Sequence, residues 1–144
     1  MSFRGWDAGA GSLQGSVGLS NESATRCALS GYATKVELLD GTSTPLTLTL
    51  DQFKTLVPPA AAILEPGTGA VSPKGTALKP GQASFGLNWM NWCGTQKPLG
   101  IRLTFADRSA KQFPLGADAG ATPRCDDKAK PSVLSVGPFE AAPR

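Results

Sequence analysis

Phe85-Gly-Leu-Asn-Trp-Met-Asn-Trp-Cys93-Gly94 is the stretch that most restricts how this chain can fold. It holds two of the three tryptophans and one of the three cysteines. Read as a strand, its period of two puts Phe85, Leu87, Trp89 and Cys93 on one face and Gly86, Asn88, Met90 and Trp92 on the other. The first face is apolar and ends in a cysteine. That predicts a core strand whose end is tied to another segment.

The rest of the chain reads in the same key. Glycine and proline together supply 29 residues, 17 and 12, so turns are frequent. No segment shows helical periodicity of helix length. Met1 to Ser12 is Gly- and Ala-rich and reads as a loose lead-in, with Trp6 packing onto the first strand. Leu13, Gly15, Val17 and Leu19 alternate with polar or small residues as a half-buried strand. Asn21-Glu-Ser23 is a polar turn that also fits the N-glycosylation pattern. Leu29 and Tyr32 are core contacts, and Lys35 to Asp40 is a strand with Val36 and Leu38 inward. Asp40-Gly41 signals a hairpin. Leu46, Leu48 and Leu50 form a third strand with threonines outward.

Residues 51–80 form an irregular insert. Asp51 is placed to cap one helical turn through Leu56, stopped by Pro58-Pro59. Pro59 to Leu64 reads as a short edge strand, and Glu65 to Pro80 as loop. Beyond the central strand, Leu99, Ile101, Leu103 and Phe105 alternate cleanly. Ala106 to Ser109 turns the chain, and Lys111, Phe113 and Leu115 return it. Gly116 to Lys130 is loop with Cys125 inside it, Ser132 to Val136 is a last strand, and a Pro/Ala tail follows. About seven or eight short strands bounded by Gly and Pro, most with faces of unequal polarity, predict one all-β domain spanning residues 1–144, with its core at about 13–137. The architecture expected is an antiparallel β-sandwich of two sheets.

Composition narrows function mainly by exclusion. The net charge is +3, from 14 basic and 11 acidic residues, and the basic residues are scattered. They make no stripe for a phosphate backbone, which argues against nucleic acid as a partner. No apolar run approaches a membrane span. There is no histidine, so the commonest general base and metal ligand is missing. Neither Cys27 nor Cys93 has a histidine to activate it. There is no C-x-x-C pair and no closely spaced metal-ligand set. There is no G-x-S-x-G, and the glycine pairs at Gly9/Gly11 and Gly67/Gly69 precede no helix. No catalytic residue, metal site or cofactor is expected. Paired carboxylates remain: Asp126-Asp127, and Glu37 with Asp40. A carbohydrate-active enzyme or carbohydrate-binding module using such acids and Trp92 is the alternative function, against an ordinary role as solvated turn acids.

Two surfaces are candidates for partner contact. Trp92, out of phase with Trp89 and beside Met90 and Asn88, either covers an end of the sandwich or meets a protein or carbohydrate. Ile63 and Leu64 belong to a proline-bounded apolar stretch that is costly to expose. The three cysteines allow one disulfide and one free thiol in an oxidising compartment, or three thiols in a reducing one. A Cys93–Cys125 bridge would tie the central strand to the loop before the last strand and contribute roughly 3 to 4 kcal/mol. That bridge is the expected disulfide; pairing of Cys27 with either of the others is also possible from the residues alone.

Several motifs resemble a family of exported actinobacterial domains of unknown function, known as secreted proteins and lipoproteins. They are Arg4 to Gly15, Leu19-Ser-Asn21 through Cys27-Ala-Leu29-Ser-Gly31-Tyr32, Val36-Glu-Leu38-Leu-Asp40, Leu78-Lys-Pro80-Gly81-Gln-Ala83-Ser-Phe85, the Trp89-Met-Asn91-Trp92-Cys93-Gly94 block, and Cys125. The resemblance covers about residues 5–136, and its specific part is the Trp-x-Asn-Trp-Cys block. It implies an immunoglobulin-like sandwich, export, disulfides and no established activity. It implies an extracytoplasmic place, with an export signal and any lipid anchor lost with a precursor N-terminus. Family members carry a further upstream cysteine that would suit Cys27; this chain lacks it. The expected function is a non-catalytic module that binds a protein or cell-envelope component, or spaces other domains at the surface.

Overall fold

Burial with period two along one strand organises the molecule. In the computed structural model, which describes residues Met1–Arg144, Ala83, Phe85, Leu87 and Trp89 are buried while the residues between them face outward. The chain is all-β. In order its strands are β1 (Ser2–Gly9), β2 (Ser12–Leu19), β3 (Cys27–Leu29), β4 (Lys35–Leu39), β5 (Thr49–Gln52), β6 (Ala62–Leu64), β7 (Ala83–Met90), β8 (Gly100–Thr104), β9 (Ala110–Pro114), β10 (Val133–Val136) and β11 (Glu140–Ala141). A single 3-10 turn, Gly116–Asp118, follows β9.

One sheet has the order β1-β2-β7-β10-β5, with β11 also on β7. β2 pairs with β7 along its whole length, from Ser12 opposite Met90 to Leu19 opposite Ala83. The other edge of β7 is divided. β10 covers Leu87 to Met90, and β11 covers Ala83 and Ser84. Between them the Gly137 N–H donates to the Gly86 carbonyl at 2.8 Å. A Cβ on Gly137 would lie 3.3 Å from the Gly86 nitrogen, so this close approach suits glycine. A second sheet has the order β4-β8-β9, and β3 pairs with β6 as a separate ribbon. Packed together, the sheets form a β-sandwich. One hydrophobic cluster draws Val17, Phe85, Trp89 and Leu134 from the first sheet and Val36, Leu38, Ile101 and Leu103 from the second.

The structure has more strands than the seven or eight expected, and the differences have physical causes. Residues 2–9 are a strand rather than a loose lead-in. Trp6 is buried, and its indole lies over Gly15, where a Cβ would sit 2.7 Å from the ring. Burying that ring fixes the segment onto β2 with a bulge between Phe3 and Trp6. The Pro/Ala tail adds β11, because Phe139 is buried edge-on against Phe85 with centroids 5.6 Å apart.

The leucine strand expected at 46–50 begins later, at Thr49. Pro45 bridges to Leu39 and the Leu46 N–H donates to the Leu38 carbonyl at 2.8 Å, so these residues pair with β4; only from Thr49, whose N–H donates to the Ser132 carbonyl, does the chain pair along β10. β5 then runs parallel to β10, an exception in a sheet otherwise antiparallel. Strand pairing carries Asp51 and Gln52, so no helical turn forms there; Leu56 is fully exposed. The 65–80 loop is held by side chains. Arg4 Nε donates to the Ser72 carbonyl at 3.0 Å, and Lys74 Nζ donates to the Trp6 carbonyl at 2.6 Å.

Candidate functional site

β7 has two ends, and the residues singled out in the sequence divide between them. At its C-terminal end lies the Trp89-to-Cys93 block. The Trp89 Nε1–H donates to Ser132 Oγ at 2.9 Å inside the core. The strand stops after Met90 because Asn91 adopts a left-handed conformation, φ 60°. Asparagine tolerates that region better than most residues. The turn reverses the expected faces. Trp92 swings back to the core, 9% exposed, with its ring centroid 5.7 Å from that of Trp89. Its Nε1–H donates to the Gln96 carbonyl at 3.0 Å. Cys93, expected on the core face, is exposed instead.

Asn91 is itself buried and fastens the chain to a distant loop. Its Oδ1 accepts the N–H groups of Asp126 and Asp127, both at 2.9 Å. Its Nδ2 lies within 3.0 to 3.2 Å of the Asp127, Lys130 and Pro131 carbonyls. Beside this clasp Cys93 and Cys125 form a disulfide, with Cα atoms 4.7 Å apart. Cys27 is free and exposed. Asp126 pairs with Arg124 at 2.5 Å, and Asp127 Oδ1 accepts the Ala129 N–H at 2.9 Å. Both carboxylates are engaged in the loop, and neither lines either of two surface cavities, one of about 660 Å³ and one of about 290 Å³.

The larger of those cavities lies at the opposite end, where β7 begins. It is a groove of about 660 Å³. Leu19, Leu29, Leu64, Phe105 and Phe139 give it apolar lining, and Cys27, Asp107 and Lys111 supply polar atoms. β3 borders it; Cys27 and Ala28 there are exposed, and β3 pairs only with β6. The Asp107 carboxyl is held below its usual range by hydrogen bonds from the Ser109 hydroxyl and backbone N–H, so it stays charged. A mostly apolar concavity of this size with a few polar groups is the usual form of a ligand site.

The candidate contact residues do not share one surface. Met90 is 39% exposed at the disulfide end. Leu64 is buried and belongs to the groove; Ile63 next to it is half-buried. The Glu65 N–H donates to the Gly81 carbonyl, which fixes this segment near the start of β7. Met90 and Leu64 are thus separated by roughly the length of that strand, on the order of 25 Å. Asn21 is not a free acceptor for a glycan: its Nδ2 donates to the Thr25 and Leu64 carbonyls. Sequence reading missed the groove because its lining comes from separate segments with no common motif. Phe53, Leu56 and Val57, within the irregular insert, project from the β5–β6 connection as exposed apolar side chains.

Compared with protein-family models, curated proteins and solved structures, the chain matches none. No helix is long and apolar enough to cross a membrane.

Proposed function

We propose that this protein is an extracytoplasmic, non-catalytic binding module of immunoglobulin-like design. In this reading it holds an apolar segment of a protein or cell-envelope component in the groove between β3 and the β8–β9 turn. The groove is the observation that carries the reading. It places buried core side chains at the floor of an open concavity and sets charged groups beside them. The disulfide is compatible with an oxidising compartment. The strand orders support the design. β1, β2 and β7 lie in one sheet and β4, β8 and β9 in the other, the arrangement of strands A, B, E and C, F, G in such sandwiches.

Cys27 offers a direct test, because its thiol lines the groove. The protein is incubated with envelope fractions of its host before and after Cys27 is capped with a bulky maleimide. Capping abolishes retention if the groove is the contact. Equal retention of capped and uncapped protein removes the groove from the mechanism. A Met90→Ala variant serves as the control for the other end of the molecule.

A further inference from the structure

We propose that Asn91 is the template that selects Cys125 as the partner of Cys93, holding the 125–131 loop in pairing position before the sulfur–sulfur bond forms. Every hydrogen bond that Asn91 makes to this loop goes to the backbone, of Asp126, Asp127, Lys130 and Pro131. None goes to a loop side chain. Asn91 is two residues from Cys93, and one N–H that it accepts belongs to the residue after Cys125. The clasp therefore brings the two thiols together through the fold alone. Cys27, the competing thiol, sits opposite Leu64 on the β3–β6 ribbon at the other end of the molecule, where nothing comparable links it to Cys93.

The chemistry is ordinary thiol–disulfide exchange with a low-molecular-weight disulfide such as oxidised glutathione. One protein thiolate attacks it, forms a mixed disulfide and releases one glutathione thiol. The second protein thiolate displaces the other. Two protein thiols are oxidised to one bridge, one glutathione disulfide is reduced to two thiols, and the two protein protons pass to the released thiolates. Asn91 takes no part in these bonds; it sets the effective concentration of one thiol near the other.

Asn91→Gly is the informative variant, since glycine keeps the left-handed backbone and removes only the amide. Reduced chains are equilibrated with glutathione redox buffer and mapped by non-reducing peptide analysis. The effective concentration of the Cys93/Cys125 pair falls by at least about tenfold in Asn91→Gly, and bridges to Cys27 appear. Lys128→Ala, which alters an exposed side chain in the same loop, behaves as wild type. An unchanged effective concentration with no Cys27 bridges overturns the proposal. A second measurement does not depend on the variant folding. In the reduced wild-type protein, the Asp126 and Asp127 amides stay protected from hydrogen exchange. If they exchange freely while the Leu87 and Trp89 amides remain protected, the loop is held by the disulfide alone and the proposal fails.

Discussion

Trp89 is joined to Ser132 by a 2.9 Å hydrogen bond from its indole N–H, and the same hydroxyl donates onward to the Met90 carbonyl at 3.0 Å. The bond satisfies the polar atom of an otherwise wholly buried ring and locks β7 to the approach of β10. Ser132→Ala leaves a buried indole N–H without a partner. It costs about 1 to 3 kcal/mol, measured by urea unfolding. Ser132→Thr keeps the hydroxyl and loses less.

Reduction of the Cys93–Cys125 bridge, or its replacement by Cys93→Ser/Cys125→Ser, lowers stability by roughly 3 to 4 kcal/mol through the greater freedom of the unfolded chain. The fold persists. Circular dichroism therefore stays native while the denaturation midpoint falls.

Gly94 lies against the Trp92 indole, and any Cβ there would overlap the ring. Gly94→Ala displaces Trp92 from the core. It destabilises the domain by about 1 to 3 kcal/mol and red-shifts tryptophan fluorescence as the indole meets water.

Glu37 faces Arg102 across β4 and β8, with Arg102 Nε 2.7 Å from Glu37 Oε2. That hydrogen bond from Arg102, then one from Lys35, holds the Glu37 carboxyl below its ordinary 4.5 despite the opposing effect of burial. Asp40 and Asp107 are lowered from 3.8 by hydrogen bonds within their own turns. The unfolded chain consequently binds protons before the folded one does. Stability is fully present above about pH 5 and declines as pH falls through the ordinary carboxylate range toward the lowered folded values. Arg102→Gln makes the acid limb of a stability–pH profile shallower without altering its plateau shape near neutrality.

Leu56 is fully exposed and Val57 nearly so. Leu56→Asp leaves the unfolding free energy, measured by urea denaturation, unchanged to within about 0.5 kcal/mol. A larger loss would mean that this connection packs more closely than its exposure allows.

Much of the sandwich was legible because strand periodicity is local. Each residue of β7 and β8 takes its face from its immediate neighbours, so Phe85, Leu87, Trp89, Ile101 and Leu103 could be assigned inward without knowing their partners. The Cys93–Cys125 pairing was one of the combinations the cysteines permit. Where one backbone angle breaks the period, the reading inverted: Asn91 turns Trp92 inward and Cys93 outward.

What the sequence determined by itself was the material of the fold: short alternating strands, their turns, and a core built on aromatic and aliphatic side chains. Which strands meet was decided by the tertiary structure. β5 pairs in parallel because the free edge of β10 begins opposite Thr49, and the tail becomes β11 because β10 leaves part of β7 uncovered. The groove likewise exists only once Leu19, Leu29, Leu64, Phe105 and Phe139 have been brought together from distant parts of the chain. Hydrogen-bonding edges and shared cavities are relations between segments, and no single segment encodes them.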